Sequence, residues 1–302
     1  MLKNANEGGV FTSPQVSIFI TGVAGFLGSH LADAMLKAGH KVAGCDNLLG
    51  GYLENVPDGV DFHQIDCGYL NTMNKLLRGV DIVYHTACTA YEGLSVFSPH
   101  LVCQNTFQIT TTVASAAVSQ GVKRFVNCSS MARYGTQETV PFTEDMTPKP
   151  QDPYGIAKFA AENLLNCLSD VHGMEVVHAV PHNIIGPRQK YDDPYRNVAS
   201  IMINLMLQGR QPIIYGDGEQ KRCFSFVQDV IECLAQLAFL PGIAGEIINI
   251  GPDEEFCHHQ PTGRHNSGFA RFRSASGLCG RSSARSPVGH LLCREGAQDA
   301  GI

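Results

Sequence analysis

The chain has 302 residues, 44% of them hydrophobic, and a formal net charge of −6. That is ample for one large core, or for one core with a smaller lobe. The acidic balance, with no basic stripe or aromatic ladder, argues against a nucleic-acid partner, and no segment reaches the 18 apolar residues of a membrane span.

Residues 1–15 form a polar, Gly-containing leader without the basic start and apolar stretch of a signal peptide. Val16–Thr21 (VSIFIT) reads as a buried strand. Gly22, Gly25 and Gly28 follow, and then a helix over His30–Ala38 closed by Gly39. Lys41–Cys45 is a second strand ending at Asp46, and Val60–Ile65 a third ending at Asp66. Asn71–Leu77 is a short helix, Asp81–His85 a fourth strand, and Asn105–Ser119 a helix closed by Gly121. Arg124–Cys128 is a fifth strand, Tyr154–Leu168 a helix and Glu175–Val180 a sixth strand. Strands alternating with helices at this spacing predict an α/β fold: a Rossmann-type, doubly wound parallel sheet covered on both faces.

The pattern changes after Pro181. Gly/Pro/Asp-rich loops surround a helix (Val198–Leu207), an extended piece (Pro212–Tyr215), a helix (Val227–Phe239) and a short strand (Ile247–Ile250). The expected division is therefore a leader (1–15), a nucleotide-binding domain (16–180), a small substrate lobe (181–255) and a tail (256–302). The tail holds six Arg, no Lys, seven Gly, six Ser and four His, and carries a net charge of +4 against −10 for residues 1–255. It has neither a 3.6-residue nor a 2-residue apolar period, and reads as disordered or foreign to the fold. Cys257, His258, His259 and His265 lie there without a second Cys pair or a carboxylate in the run, so no metal site is expected.

TGVAGFLGSH places the glycine triplet between the first strand and the first helix. The first glycine permits the tight turn, the second lets a pyrophosphate approach the backbone, and the third lets the helix lie close to the sheet. The helix N-terminus then faces the phosphates. Phe26 and Leu27, inside this turn, belong to the same cofactor-binding set. Asp46, 24 residues after Gly22, can accept hydrogen bonds from both adenine-ribose hydroxyls and would repel a 2′-phosphate, which favours NAD over NADP. Its neighbour Asn47, and Asp66 with Cys67 at the end of the third strand, are placed on the adenine side. A turn or helix-capping role for Asp66 is equally open.

Tyr154 and Lys158 stand four apart in PYGIAK, on one face at the start of a helix. A neighbouring ammonium and a positive nicotinamide favour the phenolate of such a tyrosine. Ser130 follows the fifth strand and can donate to the same substrate oxygen. The eleven cysteines are scattered with no CxxC. Those in or beside strands, Cys45, Cys67 and Cys128, read as buried thiols of a reducing, cytoplasmic compartment.

With these residues in place the chain resembles the extended short-chain dehydrogenase/reductase superfamily, and within it the nucleotide-sugar epimerases and dehydratases. The resemblance covers roughly Val16–Gly251 and rests on TGVAGFLGSH, DIVYHTAC, RFVNCSSMARYG, PYGIAK, HNIIGPRQ and GDGEQKRCFSFVQDV. It implies catalytic roles for Ser130, Tyr154 and Lys158, with Tyr154 and Lys158 also touching the cofactor. A cofactor-lining HxAA segment falls on His85–Cys88, bringing in His85 and Ala87, with Cys88 replacing the common small residue. Asn105 matches an asparagine after the fourth strand. Asn183 and Arg222 match contacts to a nucleotide diphosphate, although a turn role for Asn183 and a solvated rim for Arg222 remain open. Gln189 and Arg188 belong to the same motif or cap its loop.

Met131 and Ala132 occupy the positions where dehydratases carry two carboxylates and other subclasses a Glu or Cys. Neither can move a proton. The resemblance therefore implies an NAD-dependent 4-epimerase acting on a nucleotide-diphosphate sugar, most simply a UDP-sugar, and a homodimer paired through the helices Asn105–Ser119 and Tyr154–Leu168. Ala90 or its neighbour lies where galactose-type epimerases carry a lysine, which points to an N-acetylated sugar or a uronate instead of glucose. Other sugar oxidoreductases of the superfamily, and an NAD-binding protein without turnover, stay open. Beyond Glu255 the resemblance stops, as a reading-frame shift would make it.

Overall fold

The computed structural model describes residues 14–192, 197–214 and 221–252, with 221–222 and 257–258 described for the backbone alone. Most of the expected leader, the end of the piece Pro212–Tyr215, the side chain of Arg222 and nearly all of the tail, with His259 and His265, lie outside these residues.

The main sheet is built from β1 (Ser17–Thr21), β2 (Lys41–Asp46), β3 (Asp61–Gln64), β4 (Ile82–His85), β5 (Arg124–Cys128), β6 (Glu175–Pro181) and an edge strand from late in the chain. Helices α1 (Phe26–Lys37), α2 (Leu70–Leu76), α3 (Glu92–Ser95), α4 (Pro99–Cys103), α5 (Ile109–Gln120) and α6 (Pro153–His172) connect them. Then follow β7 (Ile184–Ile185), α7 (Val198–Leu207), β8 (Lys221–Arg222), β9 (Ser225–Phe226), α8 (Val227–Gln236), β10 (Ile247–Ile250) and β11 (Cys257–His258). The sheet order is β10-β6-β5-β4-β1-β2-β3, and every pair is parallel.

Alternation along the strands sorts side chains onto two cores. Ile18, Ile20, Tyr84 and Val126 face α1 and α8, while Phe19, Val83, Phe125 and Val176 face α2, α5 and α6. Both faces are covered, so the strands read as continuous apolar runs. α8 buries Val227, Val230, Ile231 and Leu234, each worth about 1.5–3 kcal/mol. The buried Tyr84 hydroxyl donates to the Ala235 carbonyl at 3.0 Å and ties the helix to β4.

Several boundaries differ from the sequence reading. α1 starts at Phe26, directly after Gly25, four residues before the expected His30. The helix expected over Asn105–Ser119 is the end of a longer run, in which α4 passes through a π-helical turn at Gln104–Gln108 into α5. α6 continues to His172, where Gly173 at φ 72° closes it. Pro212–Ile214 is irregular. The expected lobe at 181–255 is not separate from the sheet domain, because β10 extends the sheet beside β6 and α8 packs in the core with α1. Among the described residues no helix is long and apolar enough to cross a membrane.

Two buried histidines should make the fold acid-sensitive. His178 lies between Asn127 (3.1 Å) and Asn166 (2.9 Å). Burial, then the Arg133 charge, pulls its pKa down to about 4. Burial, then Lys158, pulls His85 down to about 3. As pH falls below about 6.5 the unfolded chain takes up these protons first, so stability present above that pH is lost on acidification. Between pH 6.5 and 5 the loss is about 2 kcal/mol per histidine. Urea midpoints at pH 7 and pH 5 should show the drop, and a smaller one in His178→Gln. Equal slopes in the two proteins would contradict this account.

Candidate functional site

The strand order runs in opposite directions on either side of β1 and β4, and a crevice opens at their C-terminal ends, as expected where such a sheet switches direction. The cleft there has a volume of about 550 Å³.

Its floor is the glycine turn. Gly22 has φ 74°, a left-handed conformation that L side chains rarely adopt, and a Cβ there would lie 3.0 Å from the Ala87 backbone. A Cβ on Gly28 would fall 2.2 Å from the Gly22 carbonyl. Gly25 caps α1, so the first helical amides face the cleft beside Phe26 and Leu27. A backbone brought this close, at a helix N-terminus and without side chains, is shaped for a pyrophosphate.

At one end Asp46 lines the cleft and accepts from the Leu48 amide (2.7 Å) and the Ala24 amide (3.1 Å). Burial raises its pKa, while the amides of Leu48, Ala24 and Gly25 pull it down. Its remaining lone pairs can take ribose hydroxyls. Asp66 accepts from Asn47 Nδ2 (2.8 Å) and from the Gly68 amide (2.7 Å), so its turn role and its place at the cleft hold together. Cys67 lines the same end, with its thiol hydrogen-bonded to Cys45.

Thr86–Cys88 form the wall between this end and the other. His85, expected with them, does not line the cleft. Its ring sits 1% exposed between Thr21 Oγ1 (2.8 Å) and Thr110 Oγ1 (2.9 Å), where it braces β4 against β1 and α5. Asn105 does reach the cleft from the π-helical turn, where Nδ2 donates to Thr89 Oγ1 at 3.1 Å.

The other end carries Ser130, Tyr154 and Lys158. Asp152 caps α6 by accepting from the amides of Tyr154 (2.9 Å) and Gly155 (3.0 Å). One turn on, Lys158 Nζ donates to the Cys128 carbonyl at 2.6 Å and lies 5.9 Å from the Tyr154 ring centroid. Ser130 Oγ accepts from the Ala132 amide and hydrogen-bonds the Tyr154 hydroxyl. Burial pushes the Tyr154 pKa up, the neighbouring Cys88 and Glu92 add to this, and the Ser130 hydrogen bond opposes it. Met131 and Ala132 fall in a 3₁₀ turn, and neither lines the cleft. Asn183 lines it, with Nδ2 donating to the Cys223 carbonyl at 3.0 Å. Arg222 is in β8, paired with β11.

Three features were not read from the sequence, where Cys88 was noted only as a replacement for a small residue. The Cys88 thiol is within hydrogen-bond range of Tyr154, and Glu92 lines the same end of the cleft. Beneath them Glu162, 1% exposed, accepts from the Ser129 hydroxyl and from Arg133 Nε (3.0 Å). The identical spacing of Tyr154, Lys158 and Glu162 on one helix was the available signal for the last. No group of three or more His, Cys, Asp or Glu among the described residues could hold a metal ion.

Residues 18–251 match the profile of the NAD dependent epimerase/dehydratase family. A UDP-N-acetyl-α-D-glucosaminuronate decarboxylase of Bacillus cytotoxicus is 35% identical over 246 residues, 78% of this chain and 75% of the relative. A UDP-glucose 4-epimerase of Mycolicibacterium smegmatis is 32% identical over 245 residues, 78% of this chain and 77% of the relative. Among solved structures, the UDP-glucose 4-epimerase of Thermotoga maritima with UDP-glucose superposes with a TM-score of 0.76 at 30% identity, over 80% of this chain and 78% of that one.

The buried Glu162–Arg133 pair gives a stability prediction. Glu162→Ala leaves Arg133 and Ser129 without their acceptor, which for a buried pair costs about 3–5 kcal/mol. Calorimetry should show the thermal midpoint lower by about 10 °C. A change of only a degree or two would show that the pair contributes little.

Proposed function

The chain belongs to the NAD dependent epimerase/dehydratase family, and from that premise we propose that it is a 4-epimerase of a nucleotide-diphosphate sugar, a UDP-sugar in the simplest case. One observation carries the reading. Ser130, Tyr154 and Lys158 meet in a single cleft beside a phosphate cradle, and the positions after Ser130 offer no carboxyl or thiol. That supports oxidation and re-reduction of one hydroxyl without further proton shuttling.

The residues fit NAD. Gly22, Gly25 and Gly28 would cradle its pyrophosphate, Asp46 its adenine ribose, Asn47, Asp66 and Cys67 the adenine side, and Ala87, Asn105 and Lys158 the nicotinamide half. Bound NAD supplies a two-electron acceptor and donor at C4 of the sugar, and a positive ring charge. Tyr154 takes the proton of the 4-hydroxyl as that bond is oxidised and returns it to the inverted alkoxide. Ser130 holds the same oxygen by hydrogen bond. Lys158, fixed by the Cys128 carbonyl, contributes a positive charge that favours the phenolate. Burial raises the Tyr154 pKa, and the positive charge of a bound nicotinamide would oppose that shift. Asn183 and Arg222 are proposed to hold the substrate diphosphate.

We also propose a homodimer in the cytoplasm. Phe97 is 82% exposed, and Val96, Leu101 and Ile156 are exposed with it on α4, α6 and the turn before α4. Exposed apolar side chains on neighbouring elements support a contact with a second copy on this side. The free, buried thiols of Cys45, Cys67 and Cys128 fit a reducing compartment.

Three measurements test these readings. Tyr154→Phe should lower 4-epimerisation by roughly 10²–10⁴-fold while NAD still binds through the cradle and Asp46. Wild-type rates in the variant would discard the mechanism, and steady release of NADH would favour a net oxidoreductase. Calorimetry should find NAD bound well and NADP poorly, and equal affinities would remove the role given to Asp46. Sedimentation at micromolar concentration should give a dimer mass that Phe97→Glu reduces to a monomer.

A further inference from the structure

Beneath Tyr154 and Lys158 lies a buried carboxylate to which the proposed mechanism gives no part. Tyr154, Lys158 and Glu162 are spaced four apart on α6 and so share one face of the helix. Lys158 and Glu162 are both buried. The Glu162 carboxylate accepts from the Ser129 hydroxyl and from Arg133 Nε at 3.0 Å. Lys158 donates to the carbonyl of Cys128, the residue before Ser129. That carbonyl is a neutral partner. The negative charge that meets Lys158 from its own helix is Glu162, one turn further on.

Resting on the roles given to Tyr154 and Lys158 above, we infer that Glu162 is a positioning residue for the reaction: through Lys158, its charge sets the pH range in which Tyr154 exchanges its proton. A buried ammonium tends to lose its proton unless a negative charge compensates it. Glu162 supplies that charge to Lys158, and the charged Lys158 in turn favours the phenolate of Tyr154. Arg133 holds the carboxylate in place, so Glu162 and Arg133 form a layer that is neutral as a unit. Without the Glu162 charge, Arg133 and Lys158 would stand there as two cations. Both Lys158 and Tyr154 would then give up protons at lower pH.

The other groups facing this layer leave the comparison undisturbed. His85 from β4 and His178 from β6 are pulled down to about 3 and about 4, and are neutral near neutral pH. Burial pushes the Cys128 thiol of β5 up to about 12, and it pushes up the Tyr134 phenol in the turn that follows. Cys88 in the loop after β4, Glu92 on α3 and Asp152 ahead of α6 face Tyr154 from the cleft side. They are the same in the wild type and in variants at Glu162 and Arg133. Burial raises the Glu162 pKa itself, and the Ser129 hydroxyl, the Arg133 guanidinium and the Lys158 charge oppose this. Glu162→Gln keeps the shape of the side chain and removes its charge.

The test counts the protons released when the full-length protein binds NAD, by calorimetry from about pH 6 to about pH 10 in buffers of different ionisation enthalpy. A positive nicotinamide favours the phenolate, so the wild type should release a proton over part of this range. Glu162→Gln should move the midpoint of the release down by about one pH unit. Adding Arg133→Met removes the second charge and should move the midpoint most of the way back, and a buried ion pair replaced as a unit is the better tolerated change. A pair that served packing alone would leave the midpoint in place, whatever the variants' stability. An unmoved midpoint in Glu162→Gln, a shift to higher pH, or a double variant that stays with the single one overturns the inference. So does a wild type that releases no proton, a result read without any variant. Product separation with a panel of UDP-sugars keeps the two readings apart. A shifted midpoint without inversion of any sugar would discard the epimerase reading and leave the role of Glu162 standing, and inversion with an unmoved midpoint would do the reverse.

Discussion

A single backbone contact organises the site: the Gly22 carbonyl against the Cα of Gly28. A Cβ at position 28 would lie 2.2 Å from that oxygen, so α1 can start beside the end of β1 only without one. The left-handed turn at Gly22 sends its amide to the Cys45 carbonyl (2.7 Å) and its Cα against Ala87. The ends of β1, β2 and β4 are thereby drawn to one point, where the sheet changes direction. Asp46, Ala87 and the first amides of α1 all hang from that point. The glycine turn and the placement of Asp46 at the cleft are consequences of one packing constraint.

A second constraint comes from buried charge. Lys158 and Glu162 sit one turn apart on α6, 3% and 1% exposed. Buried charges are tolerated only with partners. Lys158 finds the carbonyl of Cys128, and Glu162 finds the hydroxyl of Ser129 together with Arg133. Cys128 and Ser129 are consecutive at the end of β5, immediately before Ser130, and Arg133 follows in the turn after it. Sliding α6 by one residue would strand both charges, so the register between helix and strand is held. That register places the Tyr154 hydroxyl against Ser130. The neighbouring Cys128 thiol, pushed up to about 12 by burial, stays uncharged beside them.

Local patterns made much of this legible. Apolar strands bounded by glycine and aspartate announced the parallel sheet, and the glycine triplet and the four-residue spacing of Tyr154 and Lys158 announced the two halves of the site. What escaped was non-local or too short. α3 has four residues, fewer than two turns, and leaves no period to read. The π-helical turn inserts a residue into the run from Pro99 to Gln120 and breaks its 3.6-residue rhythm at Asn105. His85 looked like a cofactor contact from its motif, yet its ring is claimed by threonines 64 and 25 positions away. The partners of Glu162 lie 33 and 29 residues back along the chain. The strand β10 read as part of a lobe because nothing in its four residues reveals that β6 is its neighbour.

The framework that α6 and the glycine turn create is silent about the outcome of the reaction. Inversion at C4 and a decarboxylation driven by a C4 ketone begin with the same proton transfer and the same oxidation, so both can run on one Tyr, one Lys and one dinucleotide cradle. This is consistent with relatives of 35% and 32% identity bearing the names of two different reactions. Divergence has to enter where the sheet does not constrain the chain, in the loops that follow the strands. Here those loops carry Ala90 and Glu92 after β4, Met131 and Ala132 after β5, and Asn183 after β6. None of these side chains holds the sheet together, so their chemistry can change without changing the fold. Any difference in chemistry between such relatives has room to enter through these loop residues, set against the pair Tyr154 and Lys158 that packing keeps in place.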